Sequence, residues 1–221
     1  MDYKDIVKSE YFKKVYSEVE ELKKDFYVNH GFLHINNVIK NAEYLADLFM
    51  LSSKQKELLL IASALHDIGY LKGREDHAKN GGILAGEYLK GKMPNEETQK
   101  ICNAISSHGG KKESDFEDPI SLCLILADKF DFGKQRYQDD GKEHDNLKLF
   151  LSIEKILLTK IDEKNFELKV YTTNKELFEK LEEDYFFNKL IEVLKKVENV
   201  WGYKIKINFV DFANLKKGVD I

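Results

Sequence analysis

"IASALHDIGYLKG", residues 61–73, is the stretch on which the reading of the chain turns. An apolar run from Leu58 to Leu65 has the character of a buried helix, and it leads directly into His66 and Asp67. An unpaired imidazole or carboxylate left in an interior costs on the order of a few kcal/mol or is forced to change ionisation. Each of the two therefore needs a partner, either another side chain or a metal ion.

Working outward, "SSKQKELLLIASALHD" opens with Ser52 and Gln55 at the spacing of a capping box, which sets the start of this helix. Upstream, "YFKKVYSEVEELKKDFY" places Phe12, Val15, Val19, Leu22 and Phe26 at steps of three and four, one apolar face of a helix. A second helix is expected over about Phe32 to Phe49. Downstream, helices are expected to start near His77, near Asn95 after Pro94, and near Pro119, whose ring suits a first helical turn. Glycines at 69, 73, 81, 82, 109 and 110 place the polar motifs at helix ends and in loops.

Beyond about residue 150 the pattern changes. "EKILLTK" and "FELKVYTT" flank the turn signal "IDEKN" and read as a hairpin. "NKELFEKLEEDYFFNKLIEVLKKVENVW" is helical in spacing, and "YKIKINFVDF" alternates Ile205, Ile207 and Phe209 with Lys204, Lys206 and Asn208. The expected organisation is a mainly α protein, with a helical core over 1–150 and a β-β-α-β extension over 151–221. An apolar sheet face must be covered, so the extension is expected to pack on the core or at a dimer contact.

With 221 residues, 43% hydrophobic and 33% charged, the chain can bury one ample core. No apolar run approaches the ~18 residues of a membrane span, and "MDYKDIVKSEYFKK" lacks a signal-peptide core. The expected setting is cytoplasmic. Cys102 and Cys123 lie inside apolar helical patterns without CxxC spacing, as reduced structural thiols would. A net charge of −4 argues against duplex nucleic acid as a partner. Of 35 basic residues only Arg74 and Arg136 are arginines, which fits either a lysine-rich coding bias or a selected role in anion binding.

Six histidines are available, at 30, 34, 66, 77, 108 and 144. His34 is in register with Val38, Leu45 and Leu48 and so points from a core face. His108 follows Ile101 and Ile105, Asp128 follows Ser121 and Ile125, and His77 opens "HAKNGGILAGEYL". Each alone is explained by a structural role; together with the His-Asp pair they suggest nitrogen and oxygen ligands for Fe, Mn, Zn or Mg, and the lack of thiolates disfavours a structural zinc. His30 and His144 fit no ligand context and read as surface residues.

His34, His66-Asp67 and Asp128 resemble the H...HD...D signature of the HD superfamily of metal-dependent phosphohydrolases. With His77 and His108 the set is similar to the six-ligand, two-metal variant, most of all to the YqeK-like hydrolases of diadenosine tetraphosphate. The likeness spans about residues 28–136. Three departures stand out: Tyr70 follows "HDIG" where the family often has lysine, the connection from Asp67 to His77 is short, and the extension has no counterpart there. The HD-GYP cyclic-dinucleotide enzymes resemble the chain less, for neither their GYP motif nor their adjacent histidines is present.

The resemblance implies an HD-domain helical bundle in which His34, His66 and Asp128 hold one metal, His77 and His108 the other, and Asp67, the catalytic bridge, both. The cofactors implied are two divalent ions per chain, iron foremost, with Mn, Ni, Co, Mg or Zn compatible. Such a pair, about 3.5 to 4 Å apart, activates water for in-line attack and neutralises phosphoryl charge. The chain carries no GxSxG elbow, P-loop or Cys-His nucleophile in a known context. Around the ligands stand Lys72 and Arg74, Lys111 and Lys112, and Lys129, Lys134 and Arg136; of these Lys72, Arg74, Lys111 and Arg136 are the candidate substrate contacts. The expected partner is a small phosphorylated substrate such as a nucleotide, with homodimerisation open. Two rival readings are a di-iron oxygenase of the same superfamily and a non-enzymatic metal-stabilised sensor or assembly module.

Overall fold

A computed structural model of the protein describes residues 1–23, 27–144, 147–174 and 184–212. Among the described residues, eight helices precede the sheet: α1 (Tyr3–Lys8), α2 (Glu10–Lys23), α3 (Phe32–Leu48), α4 (Ser53–Leu65), α5 (His77–Leu89), α6 (Asn95–Ser107), α7 (Pro119–Phe130) and α8 (Leu147–Ser152). Then follow β1 (Ile153–Lys160), β2 (Asn165–Thr172), α9 (Tyr185–Trp201) and β3 (Lys204–Asp211). Short 3-10 turns cover Ile68–Lys72, Glu113–Phe116 and Lys134–Arg136. The expected fold class holds: a helical bundle with a small three-stranded sheet at its C-terminal side. Among the described residues no helix is long and apolar enough to cross a membrane.

Helix α4 is the axis of the bundle. Its start is fixed by the capping box, with Ser52 Oγ accepting from the Gln55 N–H and the Gln55 side chain returning to the Ser52 N–H. From Leu58 to Leu65 every side chain is buried, which explains why this segment shows no polar face. It packs against α1, α3, α6 and α7. The Tyr16 hydroxyl of α2 donates to the Ala64 carbonyl at 2.9 Å, satisfying an acceptor near the end of α4 that no intrahelical N–H reaches. Pro119 occupies the first turn of α7, with the Asp118 carboxylate accepting from the Ser121 N–H.

The sheet order is β1-β2-β3. β1 and β2 form the antiparallel hairpin, with Leu158 opposite Leu168, and α9 crosses over to bring β3 parallel to β2, with Phe166 beside Ile205. Phe166, Leu168, Val170 and Thr172 form the buried face of β2. The extension lies against the helices. Tyr44 of α3 donates its hydroxyl to the Leu158 carbonyl at 2.8 Å, and Phe49 meets Phe166 and Tyr203 at ring distances of 5.6 and 5.9 Å. α9 buries Phe187, Leu190, Val193, Leu194 and Val197 and packs on α7 and the turn Glu113–Phe116.

Two helices were not separable in the sequence. α1 and α2 share one amphipathic pattern, but Ser9 breaks it by accepting from the Phe12 N–H and donating to the Ile6 carbonyl. α8 runs straight into β1, so the hairpin starts at Ile153. Phe26 of the first predicted face, and residues 175–183 of the last predicted helix, lie outside the described residues.

The approach of α5 to the end of α4 depends on glycine. A Cβ on Gly69 would stand 1.9 Å from the His77 carbonyl oxygen and 2.5 Å from the Gly81 nitrogen, so the turn after Asp67 and the first turns of α5 touch backbone to backbone. Gly69→Ala is expected to push α5 outward and to lower stability by about 1–3 kcal/mol or more, as overpacking does. Urea unfolding of the variant against wild type measures it; an unchanged midpoint would show that this contact is not needed.

Candidate metal centre

Five helix ends converge. His34 is in the first turn of α3, and His66 caps the C-terminus of α4 with Asp67 next to it. His77 is the first residue of α5, His108 caps the end of α6, and Asp128 is in the last turn of α7. His34, His66, Asp67, His108 and Asp128 are buried; His77 keeps 26% of its side chain exposed.

The ring orientations follow from the local chain. His66 Nδ1 donates to the Ser63 carbonyl at 2.9 Å, His108 Nδ1 to the Ile105 carbonyl at 2.7 Å and His77 Nδ1 to the Arg74 carbonyl at 3.0 Å. A carbonyl only accepts, so these three rings carry their proton on Nδ1 and present a lone pair at Nε2. His34 Nδ1 meets Asp131 Oδ2 at 2.6 Å, and Asp131 Oδ1 in turn accepts from Asn37 at 3.0 Å.

All four Nε2 atoms face the Asp67 carboxylate. Oδ2 is 3.4 Å from both His34 and His66, while Oδ1 is 3.6 Å from His108 and 4.0 Å from His77. His34 Nε2 also lies 3.3 Å from Asp128 Oδ1. Within each half the ring nitrogens are close, His34 to His66 at 3.2 Å and His77 to His108 at 3.1 Å. Two groups of donor atoms gather within 4.8 Å of one another, His34-His66-Asp128 and Asp67-His77-His108.

This geometry calls for positive charge. Burial and the Arg136 guanidinium oppose protonation of His34, but Asp128, Asp131 and Asp67 outweigh them and raise it to about 10. Burial would also protonate Asp67, yet His66, His30 and His34 hold it well below the carboxylate range; Lys129, His34 and Arg136 do the same for Asp128. In the other half burial and then His66 push His108 down to about 3, so a proton on it does not relieve the facing lone pairs of His77 and His108. A divalent cation does, in both halves. The donors are imidazole nitrogen and carboxylate oxygen, each ring oriented by a bond at its far nitrogen, which suits such an ion.

Residues 31–133 match the HD domain family model. The matched residues run from α3 through α7 and so include all six candidate ligands. No curated protein sequence matches the chain. HD domains bind divalent metals, and the histidine and aspartate groups here are of the kind that hold them.

The candidate substrate contacts are dispersed. Arg136, just beyond the HD match, is buried beside the ligands: Nε donates to the Asn29 carbonyl at 3.0 Å, and Nη2 is 3.2 Å from both His30 Nδ1 and His34 Nε2. Its guanidinium thus braces the ligands themselves. Lys72 lines a groove with Tyr11, Glu18, Leu84 and Glu87 that contains none of the six. Arg74 offers its carbonyl to His77 and is exposed, as is Lys111. Lys129, by contrast, pairs with Asp128 at 2.5 Å.

His30 is not the surface residue expected. It is half-buried, its Nδ1 3.2 Å from Asp67 Oδ2, because Asn29 and His30 are drawn inward by Arg136 and by the Asn29 N–H to the Arg136 carbonyl. With His34 and Asp67 it forms a third donor group. His144 is also only partly exposed, tilted against Tyr27 at a ring distance of 4.2 Å and paired with Asp140 at 3.0 Å. Asp131 and Asn37 were missed as well; the spacing of "DKFD" places Asp131 one helical turn beyond Asp128, a signal available in the sequence.

Asp131→Asn is expected to weaken metal binding by about 10- to 100-fold, because it loosens the ring and tautomer of His34. His144→Ala should leave binding unchanged. Titration of the metal-free protein with Co2+ or Mn2+ reads both, and an unaltered affinity in Asp131→Asn would remove Asp131 from the centre.

Proposed function

We propose that the protein is a two-metal phosphohydrolase that cleaves a phosphate ester or anhydride of a nucleotide or similar small molecule. The observation that carries this reading is the division of the Asp67 carboxylate, one oxygen turned to His34 and His66 and the other to His77 and His108. On this reading His34, His66, Asp128 and Asp67 would hold one cation, and His77, His108 and Asp67 the second. When bound, two divalent cations supply water activation at neutral pH and charge neutralisation on a phosphoryl group. Iron leads among the candidate metals, with Mn, Ni, Co, Mg or Zn compatible with the same donors.

The protein's own groups do the rest. Asp131 and the Ser63, Arg74 and Ile105 carbonyls keep the ring nitrogens turned inward, so that the imidazole donors are oriented before the site fills. Arg136 and Lys129 offset the negative charge of Asp128 and keep it ionised. Arg74, Lys111 and Lys112 are exposed and near in sequence to the ligands, which places positive charge at the surface where a phosphate chain would approach. The likeness to the YqeK-like hydrolases makes diadenosine polyphosphates the first substrates to test.

Elemental analysis of the purified protein together with phosphate release from a nucleotide panel tests the reading. Two metals per chain with hydrolysis are expected. Asp67→Ala, which removes the bridge, should lose both metals and reduce turnover to background; retention of both would overturn the ligand assignment. Two metals with oxygen consumption in the reduced iron form and no phosphate release would instead favour the oxygenase.

A further inference from the structure

The segment that follows His108 has an unusual support. His108 ends α6, and the chain turns at once, with Gly110 in a left-handed conformation at φ +59° and its N–H bonded to the Ser107 carbonyl at 2.9 Å. A turn of this kind leaves carbonyls beyond the helix end in need of donors. The Gly110 and Lys111 carbonyls both receive the ammonium of Lys196, at 2.7 and 3.1 Å, from the middle of α9. Farther along the same segment, Asn199 donates to the Glu113 carboxylate at 3.0 Å and Trp201 Nε1 to the Phe116 carbonyl at 2.7 Å.

Backbone packing makes the contact close. A Cβ on Gly110 would meet Ile125, Phe116 and Val193 at 3.0, 3.1 and 3.4 Å, so the turn is pressed between α7 and α9 with room for glycine only. The apolar face of α9 is satisfied by α7 and Phe116 without Lys196. A two-carbonyl clamp is therefore not a by-product of burying that face. It acts on the strand of chain that connects His108 to Lys111 and Lys112.

We propose that Lys196 is a positioning residue for the His77-His108 half of the metal centre, through which the C-terminal extension controls how well the second cation is held. The proposal rests on the two-metal reading. Lys196 touches no ligand; it fixes the turn against which His108 stands. The centre described by the HD match would then be incomplete without a helix that lies outside the matched residues.

Lys196→Met keeps the aliphatic stem and removes the clamp. Cobalt titration of the metal-free full chain, followed by absorption, should show the first Co2+ bound as in wild type and the second about tenfold or more weaker. Amide exchange over residues 109–112 should be faster in the metal-free variant, and Lys196→Arg should restore both properties. Combined with His77→Ala, which itself removes the second ion, Lys196→Met should change nothing for the ion that remains. Equal binding of both ions by wild type and Lys196→Met, or equal weakening of both, would overturn the proposal while leaving the two-metal reading in place. A wild-type chain that binds fewer than two Co2+ would overturn the two-metal reading itself, and with it the half-site that Lys196 is said to position.

Discussion

The buried carboxylate of Asp67 is the constraint around which the structure is arranged. It lies at the end of α4, whose residues from Leu58 to Leu65 are all buried, and four ring nitrogens from α3, α4, α5 and α6 face its two oxygens. No single element could supply that environment. Helix ends are suited to the task because a side chain there can leave its helix axis while its backbone stays anchored. The backbone contact of Gly69 with α5 and the Tyr16 bond to Ala64 are the means by which the end of α4 is held for the others to meet.

Burial of so much polarity needs compensation at every atom. Leaving one member of a buried charged pair alone costs about 3–5 kcal/mol, a large part of the stability of a chain this size. The pattern of partners shows how this is avoided. Far nitrogens bond to carbonyls or to Asp131, and the guanidinium of Arg136 bridges Asn29, His30 and His34. Among the six ligands, the repulsion left over falls on the near nitrogens, above all the pair His77 and His108, where two lone pairs meet at 3.1 Å. Structural polarity and functional polarity are thus separated on single imidazole rings.

The helices and hairpin were legible because their signals are local: the Ser52-Gln55 cap, Pro119, the turn "IDEKN" and the 3.6 and 2.0 periods. The gathering of His34, His66, Asp67, His77, His108 and Asp128 was suggested by their shared placement at the ends of apolar faces, and by a family likeness. His30 was misread because nothing on its own segment marks it. Its position is set by Arg136, 106 residues away, and by an isolated bridge between Val28 and Tyr137. The same long-range logic hid the bracing role of Arg136, whose charge read as available to substrate when in fact its donors are turned on the protein. Long-range pairing of polar groups leaves no period in a sequence.

Tyr70 shows how a local departure is absorbed by the same network. Where the resemblance leads one to expect a lysine, its ring stacks on His77 at 4.4 Å with 8° between planes and leans on His30 at 4.7 Å. A phenol brings no positive charge, and burial raises its own ionisation far beyond the working range, with Asp67 adding to the effect. Its ring contributes by packing. It closes one side of His77, the least buried of the six, and touches imidazoles from two separate elements, parallel to one and tilted by 55° against the other. Fixed positive charge lies instead on the Asp128 side, in Arg136 and Lys129. The centre is consequently asymmetric: one half is rich in fixed charge, and the other is held by aromatic stacking and by a turn that α9 clamps from outside.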